Sequence, residues 1–238
     1  MIATAPRPPV TEYPSSDGEP MAETGTHVES IILLHQAVQD FHAARSDVLV
    51  ASDQFLYLEE GAGRRRAPDV MIVPGVGSAP VDRYCPWEHD DVIPAAVFEF
   101  SSAGTVDADL TDKFDDYEEL GVAEYFLFDP QGVHLVPAFQ GYRLRAGTYR
   151  RMRMTGGMLE SRLGFKMKPE GIMLRLFDAA TGLPIPTRAE RAAYAERKAT
   201  DAERKAAEEH QRADTLQAQV VKLQALLQKH NIPSGNGS

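Results

Sequence analysis

From His27 onward, apolar residues recur at Ile31, Leu34, Val38 and Phe41, the i, i+3, i+7, i+10 spacing that lays one stripe along a helix. The pattern predicts a helix ending near Ala44, with Thr26 as its N-cap and Glu29, three residues later, completing a capping box. Short β-like runs follow at 48–51, 55–58, 70–73, 95–100, 125–128, 133–139 and 142–145, most of them bounded by Gly, Pro or Asp. A helical stretch at 107–120 interrupts them and stops at Gly121, a suitable C-cap. Helix, strands, helix and further strands predict an α/β protein built on a mixed sheet flanked by helices.

The pattern changes again at Gly182, Leu183, Pro184, Ile185 and Pro186, after which glycine and proline vanish until Pro233. Ala192, Ala199, Ala206, Ala213, Val220 and Leu227 are spaced by seven. Ala195, Ala202, Leu216 and Leu223 take the matching positions, which predicts a coiled-coil helix whose firm seam lies between Leu216 and Leu227. The alternative is a solitary charged helix, frayed in its alanine half. At the other end, Pro6, Pro8, Pro9, Pro14 and Gly18 break up a polar stretch too poor in apolar residues to pack. The expected organisation is a flexible leader at 1–24, a core domain at 25–186, a coiled-coil helix at 187–231 and a disordered tail at 232–238.

Length and composition narrow the class. A chain of 238 residues with 43% hydrophobic and 25% charged residues holds one well-buried domain plus appendages. The lone Cys85 excludes a disulfide framework and a multi-cysteine zinc site. No run approaches the roughly 20 apolar residues of a membrane span, and no signal pattern opens the chain, so a cytoplasmic protein without membrane association is expected. A formal net charge of −10 argues against coating nucleic acid by bulk charge. It remains compatible with carboxylates gathered for a divalent metal.

Three positions stand out as chemistry. In Ala95-Ala96-Val97-Phe98-Glu99-Phe100, alternation sets Glu99 beside Ala95 and Val97 while Phe98 and Phe100 take the other face. Both faces are therefore largely apolar, and a carboxylate there is costly unless it is paired or binds metal. Asp69 repeats the situation before Val70-Met71-Ile72-Val73, with Pro68 holding the preceding residue extended. On a wheel of residues 107–121, Leu110, Phe114, Tyr117, Leu120 and Gly121 share a face, and Lys113 falls between Tyr117 and Leu120. Its ammonium either meets the two carboxylates or snorkels past apolar neighbours to water. Two carboxylates and one lysine, if they converge, meet the needs of metal-assisted phosphodiester cleavage.

These groups together resemble the PD-(D/E)XK, restriction-endonuclease-like superfamily, and the chain is similar within it to the Uma-two family of restriction-type endonucleases. The resemblance rests on Ala67-Pro68-Asp69-Val70, on Phe98-Glu99-Phe100-Ser101-Ser102, and on Asp109-Leu110 leading to Lys113 and Tyr117. It continues through Gly121-Val122-Ala123-Glu124-Tyr125 to Asp129-Pro130, and covers roughly residues 25–180. In the superfamily the lysine stands two residues after the glutamate; here Ser101 holds that place, and the resemblance implies that Lys113 supplies the amine from the neighbouring helix. It further implies Mg²⁺ or Mn²⁺ held by Asp69, Glu99 and the Phe100 carbonyl, with Glu29 reaching the same site or serving only as a cap. DNA is the implied substrate, and a homodimer formed by the coiled coil would suit double-strand cutting.

Arg64, Arg65 and Arg66, and the group Arg143, Arg145, Arg150, Arg151 and Arg153, either meet nucleic-acid phosphates or form solvated surfaces. Tyr117 is expected to pack under the site and Asp129 to cap the turn at Pro130. His27 and His35 are assigned to structure or solvent. The competing reading of the whole chain is a catalytically silent nuclease-fold scaffold that oligomerises through its heptads.

Overall fold

Strands apolar on both faces need cover on both, and the chain supplies it from two directions. The computed structural model describes Tyr13, residues 24–61 and residues 63–229. Apart from Tyr13 and Thr24, the leader assigned to 1–24 lies outside the described residues, as does the tail at 232–238. The chain divides into two units, Met1–Thr187 and Arg188–Ser238.

The first unit opens with α1 (Gly25–Phe41), followed by β1 (Val48–Ala51), β2 (Leu56–Tyr57), β3 (Arg65–Arg66) and β4 (Val70–Pro74). After a 3₁₀ turn at Pro86–Glu88 come β5 (Ala96–Phe100), α2 (Val106–Leu110), α3 (Asp112–Leu120) and β6 (Glu124–Phe128). The unit closes with β7 (Phe139–Arg145), β8 (Thr148–Arg151), β9 (Leu159–Glu160), β10 (Phe165–Glu170) and β11 (Met173–Asp178). A six-stranded mixed sheet runs β1-β4-β5-β6-β7-β8. Only β5 and β6 pair in parallel within it, joined by the α2–α3 crossover that a parallel pair requires. Every residue of β5 and β6 is buried.

One face of the sheet packs Phe98, Phe126 and Phe139 against Ile31, Leu34 and Val38 of α1 and against Phe165, Leu174 and Leu176 of the small β9–β11 sheet. The other packs Val97, Tyr125 and Leu127 against Tyr117 and Phe114 of α3. α3 ends where expected, at Gly121 with φ 93°, whose N–H and that of Val122 close back onto Tyr117.

Several expectations need correction. α1 begins two residues early, with Thr24 rather than Thr26 accepting the His27 N–H at 3.3 Å, so Glu29 completes no capping box. The helix expected at 107–120 is two helices, broken at Thr111 (φ −124°, ψ −87°), whose hydroxyl bonds back to the Asp107 carbonyl. Residues 133–138 form a loop: the Asp129 carboxylate accepts the N–H groups of Gln131, His134 and Leu135 and turns the chain, leaving Val133 and Val136 exposed. Tyr13, placed in the leader, packs on Tyr57 and Trp87 and accepts the Gly61 N–H at 2.7 Å.

The second unit is α4 (Arg188–Lys229), 42 residues with no side chain buried. Leu216, Val220, Leu223 and Leu227 are all exposed along it. Arg204 reaches Asp201 at 3.1 Å and Glu208 at 3.7 Å on its charged surface. Among the described residues, no helix is long and apolar enough to cross a membrane.

Candidate active site

β4 and β5 pair antiparallel with Val70 opposite Phe98 and Met71 opposite Val97. One further step brings Asp69 level with Glu99, at the C-terminal end of β5. The Asp69 Oδ2 accepts the Phe100 N–H at 2.5 Å, which fixes the carboxylate beside the strand end. Glu99 itself is 1% exposed. Burial pushes its carboxyl up to about 8; Lys113 offsets part of that, and Asp69 and Asp109 add to it.

α3 delivers the cation. Lys113 Nζ donates to Glu99 Oε2 at 2.8 Å and lies 2.9 Å from Asp109 Oδ1, one helical turn earlier. Burial alone would lower the ammonium's pKa, but Glu99 and then Asp109 hold it above its ordinary range. The other Glu99 oxygen, Oε1, accepts the Tyr117 hydroxyl at 2.7 Å. Tyr117 is fully buried, and burial followed by Glu99 raises its phenol well above its usual value, so it stays a donor. It positions the carboxylate rather than merely packing beneath it.

Asp109 is the member that sequence reasoning missed. A continuous helix through residue 111 would turn Leu110 inward, yet Leu110 is 41% exposed while Asp109 is 1% exposed. The break at Thr111 rotates α2 relative to α3 and aims Asp109 at Lys113. Tyr125 secures that geometry by donating its hydroxyl to the Asp109 carbonyl at 2.8 Å. The available signal was the i, i+4 spacing of Asp109 and Lys113.

Glu29 does not join this group. It is exposed on α1, 200° around the helix from the buried His27 at about 100° per residue. His27, assigned to structure or solvent, sets its Nε2 3.6 Å from Asp69 Oδ1 and its ring edge-on to Phe100. His35 pairs with Ser52 at 2.7 Å. Together with Ser101, Ser102, Gln131 and His134, His27 borders a cleft of about 310 Å³ that flanks the constellation.

Glu99 and Asp109 thus share one ammonium, with Asp69 level with Glu99 on the neighbouring strand, and the buried Ser101 Oγ, two residues beyond Glu99, has no hydrogen-bond partner among the described residues. The surplus negative charge and the hard oxygen donors fit a divalent cation such as Mg²⁺, which takes only one or two protein carboxylates. No set of three His, Cys, Asp or Glu side chains among the described residues would hold an ion unaided.

The first arginine group is engaged within the fold. Arg64 and Arg66 both bond the buried Asp116 of α3, Arg66 through Nε at 2.5 Å, and Arg64 also reaches Glu119 at 2.8 Å. Arg65 lies over the Phe55 ring at 4.5 Å. The Arg64 and Arg66 contacts tie the β2–β3 hairpin to α3. In the second group, Arg143 bonds Glu124 at 2.6 Å and the Glu160 carbonyl at 2.7 Å. Arg145, Arg150, Arg151 and Arg153 gather with it on a different part of the sheet from Glu99.

Against known families, the Uma2 model, described as "Putative restriction endonuclease", matches residues 4–170, which takes in Asp69, Glu99, Asp109, Lys113 and Tyr117. No curated protein matches the chain.

Proposed function

The chain belongs to the Uma2 family, and on that premise we propose that it is a metal-dependent endonuclease hydrolysing phosphodiester bonds of DNA. The observation that supports this most is the Lys113 ammonium held at 2.8 Å from Glu99, itself level with Asp69. A lysine from the helix thereby reaches the carboxylate that the superfamily's own lysine, replaced here by Ser101, would accompany.

Asp69, Glu99 and the Phe100 carbonyl would hold Mg²⁺ or Mn²⁺. When bound, the ion supplies Lewis-acid stabilisation of the phosphate and a more acidic water. Lys113 orients the attacking water and offsets the negative charge that builds on the phosphoryl oxygens. Water oxygen bonds to phosphorus, the bond from phosphorus to the leaving sugar oxygen breaks, and that oxygen takes up a proton. Asp109 keeps Lys113 charged and extended toward Glu99, and Tyr117 holds the Glu99 carboxylate in place. The purified chain is expected to nick or linearise plasmid DNA with Mg²⁺ or Mn²⁺ and to stop when EDTA is added. A chain inert with both metals on plasmid and single-stranded DNA would leave the scaffold reading in its place.

Double-strand cutting calls for two sites, and α4 offers the means of pairing. Its apolar seam at Leu216, Val220, Leu223 and Leu227 is exposed in the single chain, an arrangement that a parallel or antiparallel partner helix would bury. Full-length protein is expected to scatter light as a dimer and a chain ending at Thr187 as a monomer. A truncated chain that stays dimeric would remove the pairing from α4.

A further inference from the structure

The hairpin of β7 and β8, together with the loop before β10, encloses a cleft of about 560 Å³, within the range of small-ligand sites. Its walls carry six arginines, Arg143, Arg145, Arg150, Arg151, Arg153 and Arg162, against one lining carboxylate, Glu160. Among the described residues, only Arg143 is neutralised, by the buried Glu124. The guanidinium groups of the other five bond no carboxylate among the described residues. Elsewhere in the same unit, Arg45, Arg64, Arg66 and Arg83 each bond one. A chain with a net charge of −10 has ample acid to pair these five, so their concentration in one concavity opposes the composition. Like charges held this close raise the energy of the folded state unless an anion enters.

The cleft is separate from the Glu99 constellation. Glu99 is in register with Leu127, on the sheet face that α3 covers, whereas Arg143 is in register with Glu124 and Arg150, on the opposite face. Glu124 also lies three residues toward the other end of β6, roughly 10 Å along the strand. No aromatic ring lines the cleft to stack a base, and arginine forks match phosphate oxygens in bidentate fashion. We propose that this arginine cleft is a second site, on the sheet face opposite Glu99, that binds closely spaced phosphate groups without reading the base. The phosphates could come from a nucleic-acid strand or from a compact polyphosphate, and the shared chemistry is recognition by several guanidinium groups at once.

The test is binding without cleavage, measured on the full chain in EDTA. A short fluorescent DNA duplex is followed by anisotropy and inorganic triphosphate by calorimetry. At least one is expected to bind with steep salt dependence, and Arg150→Glu/Arg153→Glu should weaken it at least about tenfold. Arg197→Glu/Arg204→Glu, the same charge change placed on α4, should leave binding unaltered. Triphosphate that binds and displaces the duplex identifies a compact phosphate site; a duplex that alone responds to the cleft variant identifies the strand backbone as the source. If the double reversal lowers the melting temperature, Arg150→Gln/Arg153→Gln replaces it, with a smaller loss expected. EDTA keeps the duplex uncut throughout, so the effect of the cleft variants on binding is read independently of the proposed cleavage. Absence of binding by both probes, or binding indifferent to the cleft variants, would overturn the proposal.

Discussion

Glu99→Gln is expected to remove metal-dependent plasmid cleavage, by at least about 100-fold, while leaving the fold intact and, above pH 8, more stable than wild type. The amide preserves the local bonding: its oxygen accepts Lys113, and its NH₂ faces the Tyr117 oxygen, which can accept once its own hydrogen turns away. What it removes is a buried negative charge beside Asp69 and Asp109. In wild type the folded chain holds a proton on Glu99 up to about pH 8, whereas an unfolded chain releases it near the ordinary 4.5. The folded state therefore binds more protons across that window, and Glu99 makes stability fall as pH rises from about 5 to about 8, by a few kcal/mol in all. Thermal melts of the apoprotein from pH 5 to 9 should show this slope in wild type and a flatter one in Glu99→Gln. Mn²⁺ should raise the wild-type melting temperature at pH 8 and leave the variant unmoved. Equal pH slopes in the two proteins, or a variant that still cleaves, would exclude this account of Glu99.

The parts of this molecule that could be read from sequence are those where one local pattern had one structural outcome. β4, β5 and β6 were legible because near-continuous apolar runs between turn residues fit only strands covered on both faces. Glu99 and Asp69 were legible because a carboxylate inside such a run has no bland explanation. β10 and β11 were missed although Phe165-Lys166-Met167-Lys168 alternates as a half-buried strand does; what they cover, α1 and the phenylalanines of the large sheet, is distant in the chain and is not signalled locally. Residues 133–138 were misread in the other direction, as a strand where the chain forms a loop. The apolar residues there alternate as in a strand, but a buried Asp129 takes the backbone N–H groups that a ladder would need.

The site shows the same division. Tyr117 and Lys113 followed from a helical wheel, because α3 is regular from Asp112 to Leu120. Asp109 did not, because the wheel assumed an unbroken helix and a single non-helical residue, Thr111, reorients everything before it. The role of Asp116 was equally hidden. Its partners Arg64 and Arg66 lie about fifty positions away, and nothing local distinguishes it from the exposed Asp115.

Lys113→Met is expected to be the most destabilising single change at the site, by about 3–5 kcal/mol at pH 8. The methionine fills a similar volume, so the cost comes from charge. Glu99 would keep only Tyr117, and Asp109, whose Oδ2 already has no hydrogen-bond partner among the described residues, would lose the one cation that those residues give it. Both carboxylates are 1% exposed and gain little from water. Lys113 is the group that lowers Glu99, so without it the carboxyl keeps its proton beyond pH 8; the penalty should therefore be larger at pH 9 than at pH 6, and should largely disappear in Lys113→Met/Glu99→Gln/Asp109→Asn, whose site carries neither unpaired charge. Urea unfolding at pH 6, 8 and 9 measures this. A single variant within about 1 kcal/mol of wild type at pH 8 would mean that water, rather than Lys113, solvates the pair. The expected result also bears on how the chemistry must be probed. Loss of cleavage in a Lys113 variant mixes a missing catalytic amine with a displaced Glu99, because the same ammonium does both. Only a Lys113 variant compared with Glu99→Gln under conditions where both are fully folded separates them, and Asp109→Asn adds the third arm: it leaves the amine in place, weakens its hold, and should lower turnover more than metal affinity.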